Sequence, residues 1–252
     1  MWKILFSGLI LMYTIYSALP ELCTSVTPIN NHNVLFVTAH PDDEVMFFGP
    51  LLRYTLNPKW NNTVNLLCLS TGDADGQGEV RVKELGYAAY MVGLPPANVS
   101  VVDEPALQDS MDAQWDPSVV SEVVAKYAKE FDSSIFITFD DYGVSGHPNH
   151  IAVSKGVEKY ANEAAVPGDE LLVVQLQSVP IYRKYLFVID AAFSRILDIM
   201  DGRGTVFSGQ TDYHRVRQAM TSGHKSQMTW FRYLYVSFSR YMIANSGNGW
   251  PR

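Results

Sequence analysis

One imidazole and three carboxylates stand within five residues of this chain: His40, Asp42, Asp43 and Glu44, in "VTAHPDDE", directly after an apolar run. His40 and Asp43 are ligands of the types zinc prefers. Consecutive side chains do not point the same way, so Asp43 can hold a metal while Asp42 stays free as a base. A second stretch, "SGHPNH", sets His147 and His150 three apart with Pro148 between them. Proline suits the first turn of a helix, and one helical turn brings both imidazoles to the same face. Two histidines and one aspartate leave a coordination position open, as a catalytic zinc requires. Water on such a metal has a pKa of about 7. Asp42 is placed to take its proton. The oxyanion needs a positive partner and the leaving amine a proton, and whichever of His147 and His150 is not a ligand can serve. The chemistry expected is metal-assisted hydrolysis.

The elements that must position these residues alternate. "NVLFVTA", "VNLLCLS", "VSVVD", "SIFITF" and "LLVVQL" are expected strands, apolar on both faces as buried parallel strands are. Helical patterns lie between them, at roughly 45–56, 79–92, 117–130 and 150–162. Strand–helix alternation predicts an α/β fold with an open, doubly wound, mostly parallel sheet, whose sites form beyond the carboxyl ends of the strands. "AHPDDE", "TGDADGQGE" and "DDYGVSGHPNH" each follow a strand and converge on one edge. Two further helices are expected on either side of "SGHKSQ". The second, "TWFRYLYVSFSRYMI", is dense in aromatics, carries Arg232 and Arg240, and is expected to pack on the core. The alternative is a helix at the level of lipid headgroups.

Length allows one large domain, and a net charge of −7 without a Lys/Arg cluster argues against nucleic acid. Cys23 and Cys68 imply neither a disulfide framework nor a cysteine-rich zinc module. Residues 1–23 contain the apolar run "ILFSGLILMYTIYSAL" and are expected to be a membrane anchor or a cleaved signal segment; 24–33 is a linker and 34–246 a single domain. Lys3 is the sole basic residue before Arg53, which favours a cytosolic N-terminus, and sequons stand at Asn61 and Asn98. Asp73, Asp75, Gln77, Gly78 and Glu84 have EF-hand spacing, but a strand rather than a helix precedes them. That loop is expected instead to approach a polar substrate, with Arg81 as a recognition cation. "GQGEVR" lacks the last glycine of a dinucleotide fingerprint, and "GVSGH" is not a nucleophile elbow.

Together "AHPDDE", "GQGEVRVKEL", "FDDYGVSGHPNH", "HKSQMTWFR" and "FSRYM" resemble the N-acetylglucosaminyl-phosphatidylinositol de-N-acetylase family, of the PIG-L/LmbE superfamily, over about residues 33–246. The last two motifs resemble its eukaryotic membrane branch. The resemblance implies a Rossmann-like fold of LmbE type. It implies zinc, or another divalent first-row metal, on His40, Asp43 and His150. Asp42 would be the base, and His147 would stabilise the oxyanion and protonate the amine. Arg81 matches a substrate-contacting arginine; His224 matches a branch motif without a role. The substrate implied is GlcNAc-phosphatidylinositol, deacetylated in the second step of GPI-anchor synthesis. The site implied is the endoplasmic reticulum membrane, with an N-terminal anchor and the catalytic domain in the cytosol. A soluble or secreted deacetylase of another GlcNAc conjugate is the alternative, and a non-catalytic calcium- or lipid-binding member is a third.

Overall fold

The computed structural model describes residues 26–165, 171–201 and 204–250, together with Ser7, Gly8, Leu11, Tyr13 and Thr14. Most of the expected N-terminal segment therefore lies outside the described residues. Among those described, no helix is long and apolar enough to cross a membrane. Val26 and Ile29, of the expected linker, are buried against the domain.

All five expected strands form: β1 (Asn33–Thr38), β2 (Thr63–Cys68), β3 (Val99–Val101), β4 (Ile135–Phe139) and β5 (Leu172–Leu176). Two more, β6 (Gly204–Phe207) and β7 (Ala244–Asn248), complete a seven-stranded sheet in the order β3-β2-β1-β4-β5-β7-β6. Strands β1 to β5 are parallel, and β7 runs antiparallel to β5 and β6. Every residue of β4, and every residue of β1 after Asn33, is buried. That is the pattern of central strands covered by helices on both faces.

The helices are α1 (Gly49–Thr55), α2 (Gly78–Val92), α3 (Pro117–Glu130), α4 (Pro148–Ala164), α5 (Phe187–Asp201), α6 (Gln210–Gln218) and α7 (Trp230–Phe238). The helix expected at 45–56 is instead two: a single turn, Asp43–Met46, and then α1. Pro50 stands in the first turn of the second one, and Asn245 of β7 stitches the break, accepting from Leu51 N–H at 3.0 Å and donating to the Phe47 carbonyl at 2.8 Å. The expected long aromatic helix also stops early, at Phe238. Ser239 caps the short turn Arg240–Met242, whose three residues are buried, and the chain then enters β7. Helix α5 was not foreseen. Strand order reverses direction between β1 and β4, so the loops after these two strands open a crevice at the switch point.

Candidate metal centre and active site

The loop after β1 brings His40 and Asp43 to the crevice, and the first turn of α4, after β4, brings His150. One ligand atom from each lies within 4.8 Å of the others, and all three residues are buried. His150 Nε2 is 3.3 Å from His40 Nδ1 and 3.4 Å from Asp43 Oδ1. The outward-facing atoms are already committed. His40 Nε2 donates to Asp109 Oδ1 at 3.1 Å, with the Asn149 amide also 3.1 Å away. His150 Nδ1 donates to the Gly143 carbonyl at 3.0 Å. Asp43 Oδ2 accepts from the N–H groups of Ala39 and His40 at 3.0 and 2.8 Å. What remains is two imidazole lone pairs and a carboxylate oxygen facing one another out of water. Such a set is costly alone and suits a cation. Burial by itself would raise the Asp43 pKa, but His150 and His40 hold it far below the usual carboxylate range. Burial likewise opposes charge on His40, yet Asp109 and then Asp43 outweigh it and raise its pKa.

A second grouping, His40–Asp109–His147, is also within 4.8 Å. It fits a metal less well. Asp109 is paired with Arg81 at 3.2 Å, and His147 Nδ1 accepts the Asn149 N–H at 3.2 Å as the cap of α4. That bond leaves the His147 proton on Nε2. Burial first, then His40 and His150, lower its pKa to about 4, so it is neutral at neutral pH.

Asp42 is buried at φ 120°. Its N–H donates to Glu44 Oε2 at 3.1 Å, which holds the turn. Arg232 of α7 donates to Asp42 Oδ2, and Arg81 Nη2 lies 3.6 Å from Oδ1. Arg81, expected to meet substrate, is buried and donates to the carbonyls of Gly72 and Pro41 at 2.7 and 2.8 Å as well as to Asp109. In this geometry it ties the β1, β2 and 102–116 loops together. His224 now has a partner: Nε2 is 2.6 Å from Glu44 Oε1, both residues being fully buried. A line of contacts thus runs from His224 through Glu44 to the Asp42 backbone.

The EF-hand spacing builds no calcium site. Asp73 accepts the Gly78 N–H at 2.6 Å, and Glu84 turns away to Ser226, accepting from its N–H and hydroxyl at 2.8 and 2.6 Å. Sequence reasoning missed Asp109, a lone acid in a long loop with no local signal. It also missed the reach of Arg232, whose aromatic surroundings read as packing.

The family profile described as "PIG-L: GlcNAc-PI de-N-acetylase" matches residues 35–161. A Schizosaccharomyces pombe protein named probable N-acetylglucosaminyl-phosphatidylinositol de-N-acetylase is 43% identical over 84% of this chain and 85% of its own length. The Bos taurus N-acetylglucosaminyl-phosphatidylinositol de-N-acetylase is 38% identical over 88% and 85%. Among solved structures, the N,N'-diacetylchitobiose deacetylase of Pyrococcus horikoshii is similar in fold, with a TM-score of 0.58, 13% identity, and coverage of 100% of this chain and 92% of that one.

Proposed function

This chain belongs to the GlcNAc-phosphatidylinositol de-N-acetylase (PIG-L) family, and we propose that it hydrolyses the acetamide of N-acetylglucosaminyl-phosphatidylinositol at the centre built by His40, Asp43 and His150. The products are glucosaminyl-phosphatidylinositol and acetate, in GPI-anchor biosynthesis. The observation that carries the reading is the buried trio of facing donor atoms with an aspartate, Asp42, beside it and outside the ligand set.

The donor set suits zinc, which when bound would polarise the amide carbonyl and acidify the attacking water. Asp42 takes the proton that water loses as its oxygen bonds to the carbonyl carbon. Arg232 and Arg81 fix the carboxylate that does this. His147, neutral with its proton on Nε2, donates a hydrogen bond to the carbonyl oxygen as that oxygen gains charge. When the C–N bond breaks, the nitrogen takes up the proton held by Asp42 and leaves as the amine, while the acyl carbon leaves as acetate. This narrows the expected part of His147 to the oxyanion.

We further propose that the reaction runs at the endoplasmic reticulum membrane with the domain in the cytosol. The membrane is supported by the apolar N-terminal run and the cytosolic side by the resemblance to the family's membrane branch; the two sequons have hydrogen-bonded amide nitrogens. Asn98 Nδ2 donates to the Val64 carbonyl and Asn65 Oδ1 at 3.0 and 3.1 Å, and Asn61 Nδ2 to Asn31 Oδ1 at 3.0 Å.

The test is acetate release from acetyl-labelled GlcNAc-phosphatidylinositol by membranes holding the protein, with and without a chelator, beside Asp42→Asn. Release that needs both metal and Asp42 is expected. No release by folded, metal-loaded protein would overturn the substrate assignment.

A further inference from the structure

Large apolar side chains are exposed on α7, which reaches the active site through Arg232, and on α5. On α5, Ile189, Phe193 and Ile196 follow at intervals of four and three residues and form one stripe. Ile181 and Tyr182, in the turn just before it, are exposed as well. On α7 the exposed residues are Trp230 (76%), Phe231, Tyr233, Leu234 and Phe238. The two helices are held in fixed relation. Asp190 of α5 is buried between Arg183 at 2.6 Å and Arg240, in the turn that follows α7, at 3.2 Å. Tyr185 packs edge-on against Tyr235 of α7, with ring centroids 6.3 Å apart.

Most charged groups on these segments are buried or paired. In segments 177–198 and 219–243 the carboxylates, Asp190 and Asp198, are buried, Arg183 and Arg240 pair with Asp190 and Arg232 with Asp42, and Lys225, just ahead of α7, is exposed. An apolar face that carries exposed Trp and Tyr beside a site for a lipid-linked substrate has the chemistry of a phospholipid headgroup interface.

The face is continuous with the catalytic groups. Arg232 lies between the exposed Phe231 and Tyr233 and donates to Asp42. The Tyr235 hydroxyl donates to the Met46 carbonyl at 3.0 Å. A cavity of about 570 Å³, lined by Asp140, Val144, Ser145, Ile181 and Lys184 among others, opens beside the turn whose Gly143 carbonyl orients His150.

We propose that the exposed faces of α5 and α7 together form a docking surface for a phospholipid bilayer. Docking there seats the metal centre at headgroup level, so that the lipid-linked aminosugar is processed without leaving the membrane. The identity of the substrate rests on the deacetylase reading; the surface rests on the geometry. The N-terminal apolar run is present in every form of the full chain, so membrane fractionation does not discriminate, whereas interfacial kinetics does.

The test compares the full chain with a variant carrying Ile189→Ser, Phe193→Ser, Phe231→Ser and Leu234→Ser, none of them in the catalytic machinery. Each is assayed on long-chain GlcNAc-phosphatidylinositol in phosphatidylinositol-containing vesicles and on a dihexanoyl analogue kept monomeric. We expect kcat/KM on vesicles to fall by about tenfold or more, with turnover of the monomeric analogue unchanged. Unchanged vesicle turnover overturns the proposal. So does an equal loss on both substrates, and so does a wild-type dimer in sedimentation that the variant breaks, which would assign the face to a second copy. A second measurement is independent of turnover: quenching by brominated phospholipids, compared between wild type and Trp230→Phe. Quenching reduced in Trp230→Phe to the part that Trp2, beside the N-terminal run, supplies is expected, and identical quenching overturns the proposal. If wild type releases acetate from neither substrate, the deacetylase reading fails and the quenching still decides the docking.

Discussion

Asp42 and Asp43 are neighbours with opposite surroundings because the backbone turns sharply at Asp42, at φ 120°. Asp43 receives two backbone N–H groups and faces the histidines; Asp42 faces two arginines. Replacement of Asp42 by Asn should therefore retain bound metal while acetate release falls on the order of 10²–10⁴-fold. His150→Ala should lose both. Metal analysis beside turnover checks this, and equal metal loss in the two variants would refute the division of roles. Gly143 is a stricter test of the same centre. It sits at φ 63°, and a Cβ there would lie 2.7 Å from the His150 Cβ. Gly143→Ala should weaken metal binding by about 10–100-fold through the displaced imidazole, read by competition with a chelator. The fully buried His224–Glu44 pair supports the turn from behind, and removing one partner should cost about 3–5 kcal/mol. Burial alone would lower the His224 pKa, but Glu44 outweighs it and raises it. A raised pKa stabilises fully below the unfolded value of about 6.5 and loses that contribution as pH climbs through the folded one. In urea melts the advantage of wild type over His224→Gln should thus be largest at acidic pH and shrink above about 6.5; a constant gap would show that the charged pair contributes nothing. The candidate ligands were legible because "AHPDDE" and "HPNH" have metal-ligand types at short spacing, which by itself left His147 and His150 as alternatives. Asp109, Arg232 and the partner of His224 were not, since each acts across 28 or more residues and nothing local marks it.

The helices reach the crevice only because they pack closely, and Gly156 shows how closely. In α4 its missing side chain lets α3 approach, and a Cβ there would lie 2.3 Å from Val120 Cγ1 and 2.4 Å from its Cβ. Gly156→Ala should destabilise the domain by about 1–3 kcal/mol through overpacking, despite the better helix propensity of alanine. Gly86, in α2, has nothing within 4 Å of its Cβ position, so Gly86→Ala should instead stabilise by about 0.5–1 kcal/mol. Thermal melts of the two variants should shift in opposite directions, and a shared sign would remove the packing argument. Strands β1, β2 and β4 could be read from sequence because burial on both faces makes them largely apolar, and the half-buried β3 and β5 could be read from their Val and Leu runs. β7 could not. Its sequence is Ala-Asn-Ser-Gly-Asn, which reads as a loop, and its place between β5 and β6 comes from tertiary pairing alone. The same override ends α7 at Phe238: the following turn buries Arg240 against Asp190, a contact with α5 that no helical pattern announces.

At the scale of the whole molecule, the side that meets the membrane and the compartment that holds the domain are linked questions. A cytosolic domain is never offered to the glycosylation machinery of the lumen, whereas a lumenal one would carry sequons at Asn61 and Asn98. Asn61 is exposed, so access is no obstacle there. Asn98 is half-buried and its amide nitrogen makes two hydrogen bonds, one to the carbonyl of Val64 on β2 and one to Asn65 on the same strand. A glycan replaces one of those N–H groups and must break one of the bonds, each worth about 0.5–1.5 kcal/mol. The exposed Asn61 is therefore the sensitive reporter of topology and Asn98 the insensitive one. The expected outcome, in cells expressing the full chain, is no mobility shift on endoglycosidase treatment, and no change in native mobility on Asn61→Gln. A glycan on Asn61 would place the domain in the lumen and remove the cytosolic assignment. It would leave the metal centre untouched, because its residues follow β1 and β4, at the opposite ends of the strands from the Asn31–Asn61 contact that precedes β1 and β2.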